Sequence, residues 1–498
     1  MQFWRKLPAK IGLASGPLAF LLLYTLLAPS PDSASTTGAM AGIALWMAIW
    51  WVTEAVPLAV TALLPLVLYP VTGIAATKAI APAYFNSIIF LFVGGILIAL
   101  AMERWGLHRR IALRLISVFG SRPPGLLAGF MTAAAFLSMW ISNTATAVMM
   151  LPIGLAILSR LESALEAEQL PKLQLALLLG IAYSCSVGGM ATPIGTPPNM
   201  AFMQIYAIQF PEAPLISFGE WLFFAAPLTL FLQLGIWLYL WGALLQFKGA
   251  HVLRSDVIRQ ELQTLGPVSR SEWLVLLVFA ATGLLWTFRK DIHIAEFGVH
   301  VTGWSALVPF GQSVDDGTIA ILGAVLLFLL PGESVAGESA GRLLDARSLR
   351  RIPWGIILLF GGGFALADGF GRAGLTEALS TAFAGAGRIP DWLLVFVICI
   401  AVSFLTELTS NTALTQVVLP VIAALAAARG LAPLLIMIPA TLSASCAFMM
   451  PVATPPNAIV FGSEKIRIAD MARTGLILNL VCAIFITLYS LLTKDLFF

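Results

Sequence analysis

The sequence is poor in charge. Of its 498 residues only 11% are Asp, Glu, Lys or Arg, against about 25% in soluble domains. Meanwhile 59% are apolar, and the mean hydropathy is +0.93. A water-soluble fold of this length cannot hide so much apolar surface, and a disordered chain would not carry it. The net charge of +3 gives no basic face for nucleic acid. Cysteine is scarce too. Cys185, Cys399, Cys446 and Cys482 all fall inside apolar segments, which excludes a disulfide framework or a zinc site. The four histidines (His108, His251, His293, His300) lie in polar stretches. No HExxH, GxSxG or paired-Asp constellation occurs in the apolar runs, so the chain is not read as an enzyme.

What remains is apolar helix. Runs of about 17 to 25 apolar residues mark bilayer spans. They fall near 11–28, 41–58, 60–74, 86–103, 173–193, 219–246, 272–288, 317–331, 353–369, 432–451 and 473–493. The first is read as an uncleaved span and not as a signal peptide. Two further stretches, 124–158 and 392–426, are too long for one span, and each carries a Ser-Asn-Thr cluster near its middle. They read as re-entrant hairpins, which are tolerated at membrane depth only inside protein or along a cavity. The fold class is therefore an all-α polytopic membrane protein with about 11 transmembrane helices and two hairpins. With the N-terminus inside, most of the 28 Lys and Arg lie on the inner side. Lys78, Arg289, Lys290, Arg372, Arg388, Arg429 and Lys494 lie outside, as the positive-inside rule requires. The expectation is a cytoplasmic N-terminus and an external C-terminus. The basic, helically patterned segment 103–118 reads as an interfacial helix, with a counterpart at 371–385.

The chain repeats itself. A shift of 268 residues lays Ser142-Asn143-Thr144-Ala145 on Ser410-Asn411-Thr412-Ala413, and it also aligns Gly94-Gly95 with Gly362-Gly363. Downstream, Gly195-Thr196-Pro197-Pro198-Asn199 matches Ala453-Thr454-Pro455-Pro456-Asn457. By the span count the two copies enter the membrane from opposite sides, and inverted repeats with broken helices are the architecture of secondary transporters. One polar cluster could simply be helix glue, but two in register, each followed by Thr-Pro-Pro-Asn, point to a site. Proline removes an N–H and disfavours helix before it. The freed carbonyls, with Ser, Thr and Asn oxygens, suit a hard cation such as Na+, and the restarting half-helices present N–H groups to an anion. Across 131–152, 181–200, 401–420 and 440–460 the only charged side chain is Glu407. Bound cations and helix ends must therefore neutralise an anionic substrate. Glu407, Glu54 and Asp368 read as structural carboxylates.

SNTATAVMMLP with IGTPPN, then TSNTALTQVVLP with PVATPPNAIVFGS, resembles the divalent anion/sodium symporter (DASS) family, over about 40–493. The resemblance implies a homodimer in the bacterial inner membrane, each protomer having a scaffold and a transport domain that slides past it in elevator fashion. The scaffold would take 1–123, with the interfacial helix, and a second segment within 247–391. The transport domain would comprise 124–246 (hairpin 124–158, broken helix 173–208) and 392–498 (hairpin 392–426, broken helix 432–462). The resemblance also implies at least two Na+ sites. The first would use Ser138, Ser142, Asn143 and Gly195. The second would use Thr406, Thr409, Asn411 and Ala453. A dicarboxylate would touch Ser142, Asn143, Thr144, Thr196, Asn411, Thr412, Thr454 and Pro455. The leading expectation is Na+-driven import of C4 dicarboxylates such as succinate, malate or fumarate. A citrate carrier, a Na+-independent exchanger and, more remotely, sulfate transport or an intramembrane enzyme are the alternatives.

Overall fold

The computed structural model describes residues 2–27, 34–120, 122–162, 168–244, 256–294, 299–334, 341–384 and 389–494. His251 and Arg388 lie outside the described residues. The chain opens with α1 (Gln2–Leu26), α2 (Ala34–Thr53) and the short α3 (Leu58–Thr61), α4 (Leu64–Thr72) and α5 (Thr77–Ile80). A first set of helices follows: α6 (Ser87–Arg104), α7 (Leu107–Val118), α8 (Pro123–Ser138), α9 (Asn143–Leu161), α10 (Gln169–Gly189), α11 (Pro197–Gln209) and α12 (Phe218–Leu244). Connecting elements are α13 (Asp256–Thr264), α14 (Arg270–Thr287), β1 (Ile292–Ile294), β2 (Val299–Val301), α15 (Asp316–Leu329) and α16 (Ala346–Leu349). The second set is α17 (Trp354–Arg372), α18 (Leu375–Ala384), α19 (Asp391–Thr406), α20 (Asn411–Arg429), α21 (Pro433–Ser443), α22 (Pro455–Phe461) and α23 (Ile468–Leu492).

Both polar-tipped stretches are helix–turn–helix hairpins, α8–α9 and α19–α20, and their boundaries coincide under the 268-residue shift. Among the described residues nine helices are long and apolar enough to cross a bilayer, so this is an integral membrane protein. Their bounds differ in places from the apolar runs. The stretch 60–74 is split into α3 and α4, α15 and α21 are shorter, and the hairpin arms α9 and α20 are among the nine. Proline and helix breaks account for the splitting: Pro57 precedes α3, Pro70 sits inside α4, and α21 stops before Thr454-Pro455. The helical fold includes one short strand pair. Ile292 pairs with Val301 and Ile294 with Val299 in a short antiparallel hairpin, where apolar residues alternate at the strand period of two.

The segments expected to be interfacial are helical, as α7 and α18. Each follows a tight reversal at a glycine in the left-handed region, Gly106 (φ 71°) and Gly374 (φ 70°), a conformation that other residues reach only at a cost. The repeats also share a close helix approach. A Cβ on Gly94 or Gly362 would come within 2.5 Å of Ala320 or Ala62 respectively, the small-residue contact that lets membrane helices pack closely. Buried side chains form one large apolar cluster and a smaller one, the latter around Met40, Trp51, Tyr69, Tyr84 and Leu366.

Helix α7 is fixed by one buried ion pair. Arg110 donates through Nε to Glu272 Oε1 at 2.8 Å and through Nη2 to Oε2 at 3.0 Å. It also donates to the carbonyls of Leu265, Gly266 and Pro267. Glu272 is in turn held by the capping box that Ser269 forms at the start of α14. Removing one partner strands a buried charge, a loss of about 3–5 kcal/mol. Arg110→Met should therefore lower the unfolding temperature of the purified protein markedly, and Arg110→Met with Glu272→Met should recover much of the loss.

Candidate functional site

Ser142 and Ser410 cap the second arms of the hairpins, accepting N–H bonds from Ala145 (3.2 Å) and Ala413 (3.5 Å). Serine in this position takes up a free donor of the first turn. The cap fixes each turn, and Asn143 and Asn411 become the first residues of α9 and α20.

Below each tip sits a buried hydroxyl. Ser138 Oγ lies 2.5 Å from Asn143 Oδ1 and donates to the Cys185 carbonyl at 2.7 Å. In the second copy Thr406 Oγ1 lies 2.6 Å from Asn411 Oδ1 and 3.0 Å from the Ala444 carbonyl. Ser138 and Thr406 are both fully buried. With its nitrogen turned toward them, the Asn143 carboxamide donates to the carbonyls of Cys185 and Gly195 at 3.1 and 3.2 Å. Gly189 and Gly195 make this approach possible. A Cβ on Gly189 would meet Asn143 Oδ1 at 2.6 Å, and one on Gly195 would meet the Ser138 carbonyl at 2.9 Å.

The breaks after α10 and α21 are clamped by asparagines. Asn199 Nδ2 donates to the carbonyls of Gly189, Met190 and Thr192, and Asn457 Nδ2 donates to those of Ala447 and Met450. Both side chains are fully buried. The motif repeat exposed these two residues, but not their task of gathering carbonyls that the broken helices leave unpaired. Thr192 had no signal in the repeat. It accepts the Gly195 N–H at 3.1 Å and donates to the Met139 carbonyl, tying the first break to its hairpin tip.

Glu407 takes a related part in the second break. Its carboxylate accepts N–H bonds from Phe448 (2.8 Å), Met449 (2.9 Å) and Met450 (2.9 Å), and from Asn479 Nδ2 at 2.7 Å. Asp368 pairs with Arg372 one turn on. Glu54 departs from its expected structural pairing. It holds a left-handed backbone at φ 48°, lines the central cavity and has no protein partner among the described residues.

That cavity measures about 640 Å³ and brings the two repeats together. Its wall contains Ser142, Asn143, Thr144, Gly195 and Thr196 from one copy, and Thr409, Asn411, Thr412, Ala453, Thr454 and Pro455 from the other. The only charged side chains lining it among the described residues are Glu54, Glu103 and Arg351. Among the described residues no group of three His, Cys, Asp or Glu could hold a transition metal.

Residues 14–496 match the family described as the sodium:sulfate symporter transmembrane region. The chain belongs to this family, the divalent anion/sodium symporters. It is 41% identical over 488 residues to the sodium-dependent dicarboxylate transporter SdcS of Staphylococcus saprophyticus, covering 96% of this chain and 90% of the relative. The protein of the same name from Staphylococcus aureus is 42% identical over 489 residues, with the same coverage. In fold the chain is similar to the YdaH transporter of Alcanivorax borkumensis (TM-score 0.57, 13% identity, 98% of each chain). It is also similar to MtrF of Neisseria gonorrhoeae (TM-score 0.56, 14% identity, 95% of this chain and 97% of that one).

In this chain the residues expected at the substrate all line the central cavity. Of those expected around cations, Ser138 and Thr406 lie behind the wall, against Asn143 and Asn411. Thr409 lines the cavity, and its hydroxyl donates back to the Leu405 carbonyl at 3.1 Å, which leaves the oxygen lone pairs for a ligand. Glu407→Ala would leave the half-buried N–H groups of Met449 and Met450 without their acceptor and Phe448 N–H with only Asn479 Oδ1 at 3.3 Å, each lost partner costing about 1–3 kcal/mol. The expected outcome is a large drop in thermal stability in detergent and loss of transport, with Glu407→Gln milder on both counts.

Proposed function

We propose that the protein is a Na+-coupled symporter that imports C4 dicarboxylates such as succinate, malate and fumarate by an elevator motion. The membrane is the bacterial inner membrane, the assembly a homodimer, and the N-terminus cytoplasmic with the C-terminus outside. Two relatives over 40% identical along nearly the whole chain are named sodium-dependent dicarboxylate transporters, which supports the substrate class and the ion. The observation that carries the coupling is the convergence, at Asn143 and again at Asn411, of a carboxamide, a buried hydroxyl and a helix-break carbonyl. Such clusters have the hard oxygen chemistry that Na+ requires. The first ion would be held by Ser138, Ser142, Asn143 and Gly195, and the second by Thr406, Thr409, Asn411 and Ala453.

The substrate would sit between the two tips, against Ser142, Asn143, Thr144, Thr196, Asn411, Thr412, Thr454 and Pro455. A dianion there meets no basic side chain at the tips. The N-termini of α9, α11 and α20 supply N–H groups and the positive end of the helix dipole, and the ions supply the rest. Ser142, Asn143 and Asn411 would serve both ion and substrate, so binding of one raises the affinity for the other by the same factor. The moving unit would be 124–246 with 392–498, sliding against 1–123 and a segment within 247–391.

Reconstituted protein should take up labelled succinate under an inward Na+ gradient and not under K+ or choline. Asn143→Ala and Asn411→Ala should each cut uptake at least tenfold and weaken Na+-dependent thermal stabilisation, while leaving the folded dimer intact. Counterflow without Na+ dependence would favour the exchanger, and preference for citrate the tricarboxylate carrier.

A further inference from the structure

Among the described residues the central cavity has one basic side chain in its wall, Arg351, and nothing in the transport reading uses it. Arg351 lies just before α17 and Glu103 near the end of α6, and both line the cavity that holds the Ser-Asn-Thr tips. Arg351 Nη2 donates to Glu103 Oε1 at 2.7 Å. The side chains are 52% and 39% exposed. Glu54, on the wall of the same cavity, adds a second carboxylate.

The manner of pairing separates Arg351 from arginines that hold the fold. Arg110 is 6% exposed and spends its guanidinium on both oxygens of Glu272 and three carbonyls. Arg289 donates to Asp316 and to the Val314 carbonyl. Arg351 makes a single side-chain bond with one carboxylate oxygen. Its remaining side-chain donors have no acceptor among the described residues, and the group stands on a cavity wall. A guanidinium matches a carboxylate best through two parallel N–H bonds, so Arg351 retains the capacity for a second, better-matched partner.

The charges of the wall give that capacity a use. A dianion leaving the tips loses the helix ends and the cations that stabilised it, then passes two fixed carboxylates that repel it. The one cationic group on the described wall is Arg351, partly neutralised by Glu103. We propose that Arg351 is a transient contact for a substrate carboxylate between the tips and water. Glu103 is the internal competitor that reclaims the guanidinium and releases the anion. The pair would set affinity on the face to which this end of the cavity leads, which the basic surroundings of α7 assign to the cytoplasm, and would leave the opposite face alone. This inference rests on the dicarboxylate reading.

The test is succinate transport in right-side-out and everted membrane vesicles under matched Na+ gradients. Glu103→Gln should lower the KM for succinate in everted vesicles about three- to fivefold, the scale of a partly exposed charge pair. Arg351→Gln should raise it by a similar factor, and Arg351→Lys should fall between Arg351→Gln and the native protein. The KM in right-side-out vesicles should stay within error for all three. Arg104→Gln breaks the neighbouring pair with Asp345 (3.0 Å), which does not line the cavity, and should leave both KM values unchanged. Native KM values in Glu103→Gln and Arg351→Gln would overturn the inference while leaving the transport reading in place. Equal shifts on both faces, or the same shift from Arg104→Gln, would assign the pair to holding α6 against the 341–353 segment and overturn it as well. Absence of Na+-dependent succinate uptake by the native protein would remove the transport reading and this inference together.

Discussion

Backbone polar groups cannot be left unpaired in oil, and this chain interrupts its helices at depth in several places. Everything at its centre follows from how those interruptions are satisfied. Ser142 and Ser410 take up donors at the hairpin tips. Asn199 and Asn457 gather carbonyls at the breaks. These residues allow irregular backbone to persist where helix would otherwise be enforced, and irregular backbone is what offers carbonyls to one ligand and N–H groups to another.

The two repeats reach the same end by different chemistry. In the first copy a threonine hydroxyl, Thr192, bridges the break to the Met139 carbonyl. In the second a carboxylate, Glu407, accepts three consecutive backbone N–H groups, and Asn479 supports it. Those three donors would otherwise form an anion-binding nest. A fixed carboxylate fills it and takes it away from any mobile anion. The N-termini at the tips remain open to the cavity, so the charge of Glu407 removes a competing site without adding a charge to the cavity wall.

Low charge at the tips would make a bound cation and a bound anion depend on each other. With no lysine or arginine beside Asn143 or Asn411, neither sign of charge is well placed alone in a low-dielectric cavity. The few charges that do line the cavity, Glu54, Glu103 and Arg351, reach it from elements outside the hairpins and the two breaks. The tip region keeps the same polar chemistry in both halves, and the wall opposite carries the asymmetry.

The sequence by itself determined membrane embedding, the helical class, the duplication and the polar clusters, because apolar run length, proline and the 268-residue offset are local or periodic properties. It pointed to Asn143 and Asn411 as the centres of the site, since polar side chains inside apolar runs are costly in a bilayer, and here they recur in register. It could not show that Ser138 and Asn143 share the Cys185 carbonyl, that Asn199 clamps three carbonyls, or that Glu407 closes a break 41 residues further along the chain. Nor could it move Glu54 from an expected ion pair to the wall of a cavity. The short strands at 292–301 were likewise lost in a polar stretch. In each case the deciding partner lies on another segment. Only close packing of those segments determines which buried donor meets which acceptor.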